Sequence, residues 1–181
     1  MSKVLIAYFS RKGNNYVSGN IVNLPQGNTE IVAQKIKKLI GADLFEIKTV
    51  KSYPNDYDET TVVAQKEQNS NARPEIVEPM PDISKYDTII VGHPNWWGTM
   101  PMVVMTFLEK FDFSSKKVLS FCTHEGSGMG NSENDLHKLC KGATFSKGLP
   151  IKGSTASSSD AKIEGWLKEN NLKLGSRPAS R

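Results

Sequence analysis

Cysteine is scarce in this chain. Its 181 residues include two, Cys122 and Cys140, too few for a disulfide framework, so the fold must be held by its core. That length suits one domain with a sizeable buried interior. Long apolar runs are missing as well. No 18 apolar residues follow one another, so no membrane-spanning helix is expected. The start, Met1-Ser2-Lys3-Val4, lacks an apolar region and a cleavage site, and a cytoplasmic, reducing location is expected. Charge of one sign is only mildly in excess: 23 Lys and Arg against 19 Asp and Glu give +4. The basic residues are dispersed, the densest groups being Lys35-Ile36-Lys37-Lys38 and Lys116-Lys117. No stripe of cations interleaves with aromatics, so nucleic acid is not expected as a partner.

Several binding signatures are absent too. A dinucleotide fingerprint needs G-x-G-x-x-G after the first strand. The chain has Arg11-Lys12-Gly13-Asn14-Asn15-Tyr16 there. No G-x-x-x-x-G-K-[ST] occurs, and no Cys stands in the first loop to act as a nucleophile. Two Cys and three His lie too far apart in sequence for a zinc site. A phosphoacceptor Asp would have to follow the third strand, where His93 stands instead.

What is present is an alternation of strand and helix patterns. Residues 3–9 (KVLIAYF) are almost wholly apolar, as expected of a strand buried on both faces. Residues 29–40 place Val32, Ile36, Leu39 and Ile40 at helical spacing, ended by Gly41. Residues 44–50 alternate, which predicts a strand with one wet face near a sheet edge. Residues 87–93 and 117–123 are further buried strands, 145–151 a weaker one. Helices are predicted over 101–111, 133–140 and 160–170, with a further one around 56–68 inside the long polar connection 52–81.

Five strands alternating with helices predict a doubly wound parallel α/β sheet. Mixed strands belong at edges, which gives the order 2-1-3-4-5 with helices on both faces. In that order a ligand sits at the carboxyl ends of strands one, three and four. The domain is expected over 1–174, with 175–181, rich in Gly, Ser, Pro and Arg, as a frayed tail.

Three loops follow those strand ends. The first runs from Ser10-Arg11 to Gly27-Asn28-Thr29 at a helix start, which suits a phosphate; Asn28 or Thr29 as ordinary helix caps is the alternative. Gly27 allows close backbone approach. The second, His93-Pro94-Asn95-Trp96-Trp97-Gly98-Thr99-Met100-Pro101, offers two adjacent indoles that cannot both face one core. His93, before a proline, reads as structural. The third, Thr123-His124-Glu125-Gly126-Ser127-Gly128-Met129-Gly130, has glycine at every second position.

With Tyr8-Phe9-Ser10-Arg11 and Gly27-Asn28-Thr29, then W-W-G-T-M-P and T-H-E-G-S-G, the chain resembles the flavodoxin-like FMN-binding proteins, most closely a bacterial branch, over residues 3–170. The resemblance implies non-covalent FMN. Ser10, Arg11, Asn28 and Thr29, with Asn15, would hold the phosphate. Pro94, Asn95, Trp96, Trp97 and Gly98 would lie along the isoalloxazine, with Trp97 stacking and Gly98 free to turn its peptide. Thr123, His124, Glu125, Gly126, Ser127 and Gly128 would line the other side. The inserted stretch 14–25 departs from the short flavodoxin loop. No catalytic acid or base carries over, and no metal is implied.

The expected activity is that of an FMN oxidoreductase taking electrons from NAD(P)H to a small acceptor such as a quinone, as a monomer or homodimer. A one-electron carrier between proteins is the alternative, and carriers of that kind are usually acidic. A non-redox binding module on the same fold is a third reading.

Overall fold

The first strand, β1 (Val4–Tyr8), shows why the sheet is covered on both sides. Alternate side chains of a strand point to opposite faces. Leu5 and Ala7 enter one core, while Ile6 and Tyr8 enter the other. An apolar run with no polar alternation therefore demands two layers of helices. The computed structural model describes residues 3–175.

After β1 the chain forms a hairpin, β2 (Gly13–Val17) and β3 (Asn20–Leu24), before α1 (Asn28–Ile40). Then come β4 (Asp43–Glu46), α2 (Tyr57–Asn69), β5 (Thr88–Pro94), α3 (Met102–Glu109) and β6 (Lys117–His124). The chain ends with α4 (Ser132–Leu139), β7 (Thr144–Phe145), β8 (Leu149–Lys152) and α5 (Asp160–Glu169). The main sheet runs β4-β1-β5-β6, with β7 and β8 both on the outer side of β6. All its pairings are parallel. This is the doubly wound order expected from the apolar and mixed strands.

Helices α1 and α5 cover one face through Val32, Ala33, Ile36, Ile163, Trp166 and Leu167. Helices α3 and α4 cover the other through Val103, Val104, Phe107, Leu108 and Leu136. Gly41 ends α1 in the left-handed conformation, its N–H on Lys37 O.

Three departures from the sequence expectations have local causes. The strand expected over 44–50 leaves β1 after Ile47, whose N–H still bonds Tyr8 O. Beyond it Val50 N–H donates to Glu75 O and Val77 N–H to Lys48 O. The long connection thus closes on itself and holds α2 as a side arm. The strand expected over 145–151 is split, because the Trp166 indole N–H takes Lys147 O at 3.0 Å and Gly148 packs against Met129. The stretch 14–25, read as a plain insertion, is the β2–β3 hairpin, turned by Ser18 and Gly19 with φ of 50° and 88°. Of the expected tail, Gly175 is described, its N–H on Leu39 O; 176–181 lie outside the described residues.

Two tests follow from the β5 strand. A Cβ at Gly92 would stand 2.1 Å from the Phe121 ring, so the ring occupies the place a side chain would need. Gly92→Ala is expected to lower stability by about 1–3 kcal/mol through overpacking, read as a lower denaturant midpoint; an unchanged midpoint would show that Phe121 moves freely. His93 is fully buried, Nδ1 lies 2.9 Å from Pro94 O, and Nε2 has no partner. Burial lowers its pKa to about 4, below the unfolded value near 6.5. The unfolded chain then binds more protons between those values, so stability is full above about 6.5 and falls toward pH 4. The urea midpoint should drop between pH 7 and 5, and drop less in His93→Gln. An equal drop in both would remove His93 as the cause.

Candidate functional site

The site is built where β1, β5 and β6 end side by side. Just past the first of these, Ser10 turns its hydroxyl to α1, where its Oγ accepts the Glu30 N–H at 3.1 Å. This supplies the cap that the helix lacks locally, since Gly27 stands at the N-cap with no side-chain bond. Capping by Asn28 or Thr29 does not occur. A Cβ on Gly27 would meet Ser10 Oγ at 2.2 Å and Arg11 O at 2.6 Å. The close approach that calls for glycine here is to the chain's own loop. Thr29 Oγ1 is buried 2.7 Å from Thr123 Oγ1, which ties the start of α1 to the end of β6.

Arg11 is committed structurally. Its Nε donates to Asn14 O and its Nη2 to Pro54 O and Asn55 O, at 3.0–3.1 Å. It thereby fastens the first loop to the connection before α2, and partial burial lowers its pKa. Asn15 Nδ2 donates back to Arg11 O and Gly13 O. Beyond it the hairpin leans toward α2, with Tyr16 stacked on Tyr57 at 6.3 Å between centroids.

The loop after β5 closes as a two-residue hairpin. Trp96 and Thr99 exchange both backbone bonds, and Trp97 and Gly98 between them have φ of 52° and 84°. For a bulky residue such a backbone costs roughly 1–3 kcal/mol and requires surrounding structure to hold it. The holders are visible. Trp97 O accepts from Gln68 Nε2 and its indole N–H donates to Thr61 O, both on α2. Gly98 N–H donates to Asn95 Oδ1, and Gly98 O accepts the Asn131 N–H. The free peptide turn expected at Trp97-Gly98 would have to break the Gln68 bond to Trp97 O and the Gly98 N–H bond to Asn95 Oδ1. Asn95 also donates from Nδ2 to Gly128 O at 2.9 Å, so one side chain joins the second and third loops.

The two indoles separate as expected. Trp96 is wedged against the core, edge-on to Phe9 and Tyr53 at 5.2 and 5.1 Å. Trp97 is 49% exposed and lies across α2.

In the third loop His124 Nδ1 accepts the Gly126 N–H at 2.9 Å, which leaves the proton of the neutral ring on Nε2. Burial and the nearby Lys162 lower its pKa. The Glu125 carboxylate accepts Ser18 N–H from the hairpin turn at 3.3 Å and Ser154 N–H at 3.0 Å. It fastens the hairpin to the edge of the sheet. Cys122 lies buried beneath this loop, its thiol pushed up to about 12 by burial, which holds it in the protonated form.

These loops enclose a cleft of about 290 Å³. Eleven of the sixteen expected residues line it: Arg11, Asn15, Asn28 and Thr29 from the first loop, Pro94, Asn95 and Trp96 from the second, and Thr123, His124, Glu125 and Ser127 from the third. Five do not. Ser10 serves the helix cap, Gly98, Gly126 and Gly128 shape the loops from behind, and Trp97 faces an adjoining lobe. Tyr16, Tyr57 and Gly153 line the cleft without having been singled out. The Ser18-Gly19 turn between β-forming stretches was the available signal for the hairpin that carries Tyr16. Tyr57 and Gly153 had none, since their place depends on how distant segments dock.

The donor set suits a phosphorylated planar ligand. The start of α1 offers backbone N–H groups with Thr29 beside them, and Trp96 gives a flat wall further along. At Gly153 a Cβ would meet Asn28 Nδ2 at 2.5 Å and Glu125 Oε1 at 2.7 Å, so the cleft is already narrow there.

Comparison with known proteins bears on the fold and the family. No curated protein matches the chain. Among solved structures, a candidate flavoprotein from Bacteroides eggerthii is 28% identical, with a TM-score of 0.76 over 96% of this chain and 100% of that one. Another from Bacteroides uniformis is 26% identical, with a TM-score of 0.72 over 92% and 98%. A Lactobacillus acidophilus flavoprotein solved in complex with FMN shares the fold at 23% identity, with a TM-score of 0.62 over 87% and 98%. The flavodoxin family model matches residues 3–170. With three loops at the expected strand ends and that match along almost its whole length, the chain belongs to the flavodoxin family, which binds FMN.

Proposed function

We propose that this flavodoxin is an FMN-dependent oxidoreductase that moves electrons from NAD(P)H to a small acceptor such as a quinone. The observation that carries the reading is the cleft itself, in which the start of α1, the Trp96 wall and the third loop converge at the ends of β1, β5 and β6. FMN, when bound, supplies the hydride and electron chemistry. The protein's residues hold and shield it. In this reading Asn28, Thr29 and the first turn of α1 take the phosphate, Trp96 faces the ring system, and Thr123, His124 and Ser127 line its polar edge. Arg11 acts through the loop it fastens and lends positive charge to the cleft. The net charge of +4 favours an enzyme that draws anionic donors over an acidic carrier that docks on basic partners. Among the described residues no helix is long and apolar enough to cross a membrane.

The visible spectrum and an anaerobic titration test this. The purified protein should be yellow, or become so with FMN, and NADPH should bleach it quickly. A colourless protein that takes up no FMN would sink the proposal. Slow bleaching by NADPH, with a stable half-reduced flavin on one-electron reduction, would assign the chain to the carriers. Trp96→Ala should raise the FMN Kd by about tenfold or more, the equivalent of about 1.4 kcal/mol, and Trp97→Ala by less. The opposite order, measured by flavin fluorescence, would give the stacking face to Trp97.

A further inference from the structure

The cleft continues outward into a second lobe of about 390 Å³. Arg11, Asn15, Tyr57, Asn95 and Trp96 border both lobes. The outer one adds Asp58, Thr60, Thr61 and Ala64 from the first turns of α2, together with Trp97. Most of its polar atoms are already engaged within the protein. Thr60 Oγ1 reaches Pro54 O and Asp56 O at 2.9 and 2.7 Å, and Thr61 Oγ1 donates to Asp58 O at 2.6 Å. Thr61 O holds the Trp97 indole N–H, and both ends of the Asn95 amide are occupied. What remains is a set of aromatic side chains, Tyr57, Trp96 and Trp97, with the Tyr57 hydroxyl, the Trp96 indole N–H, the Asp58 carboxylate and one edge of the Arg11 guanidinium. Of the Arg11 guanidinium, Nε and Nη2 are bonded and Nη1 is not.

We infer that this outer lobe binds the electron acceptor, and that the acceptor is an uncharged planar ring carrying a carbonyl oxygen, the quinone class. The inference rests on the oxidoreductase reading and adds the place and chemistry of its second substrate. Aromatic walls select a flat ring. Arg11 Nη1 is a charged donor for a single carbonyl oxygen. Asp58 on the same wall places a negative charge beside Tyr57 and disfavours a carboxylate or sulfonate on the ring. The shared border makes the two lobes neighbours, so the acceptor does not have to displace the cofactor.

Equilibrium dialysis of tetramethyl-1,4-benzoquinone against the FMN-loaded protein tests the site; this quinone has no open ring position for a thiol to add. One equivalent should bind, at least tenfold tighter than tetramethylbenzoate. Ala64→Leu lengthens a side chain that lines the outer lobe and not the inner one. It should weaken quinone binding at least tenfold with the FMN content unchanged, and Thr61→Leu, which also lines only the outer lobe, should weaken it similarly if the first variant does not fold. Equal binding by wild type and both variants overturns the inference. So does carboxylate binding as tight as quinone binding, or quinone bound only by FMN-free protein and released by FMN. A protein that takes up no FMN fails the oxidoreductase reading instead. Dialysis on that protein as purified still decides the lobe: loss of binding in Ala64→Leu supports a ring site, and no loss removes it.

Discussion

Everything in this molecule depends on three adjacent parallel strands buried on both faces. β1, β5 and β6 carry side chains from Leu5 to Phe121 into two separate cores. Because the pairing is parallel, all three strands end at the same edge, and their following loops emerge together. A parallel sheet needs crossover helices, and these cover both faces, so the end of the sheet is the open place for a ligand. Gly92 belongs to the same constraint. It gives its space to Phe121, its register partner on the neighbouring strand.

The loops are not independent of one another. Asn95 bridges to Gly128, Gly98 to Asn131, and a Cβ at Gly130 would stand 2.2 Å from Gly98 O. The second and third loops therefore behave as one body. The first is joined to it through Thr29 and Thr123, and to the connection before α2 through Arg11. Hydrogen bonds that join loops in this way hold a cleft in shape before a ligand arrives, which lowers the ordering cost of binding. The strain at Trp97 is part of the arrangement. Its backbone is held by contacts on α2, and the indole becomes a wall of the outer lobe.

The additions to the sheet serve the same edge. The β2–β3 hairpin brings Tyr16 over the cleft and is held by Glu125 at its turn and by Tyr57 along its side. The connection between β4 and β5 folds back on itself and presents α2 as the far wall. These two segments border the cleft without carrying the sheet.

The sequence by itself determined the strand order and the three loops. Apolar runs such as 3–9, 87–93 and 117–123 allow only strands buried on both faces, and burial on both faces allows only a central position. Eleven of the residues expected at the site line the cleft, because the loops that follow these strands emerge together at one edge of the sheet. Only the tertiary structure decided which of them face the cleft and which serve the frame. Ser10, Arg11 and Asn95 have the same chemistry in either role, and their hydrogen bonds to Glu30, Pro54 and Gly128 are contacts across distant parts of the chain. Tyr57 reached the cleft through the docking of α2, and the choice between Trp96 and Trp97 was made by a two-residue turn held by that same helix. Local patterns carry hydrophobic period and turn chemistry; they carry no record of which remote carbonyl a side chain will meet.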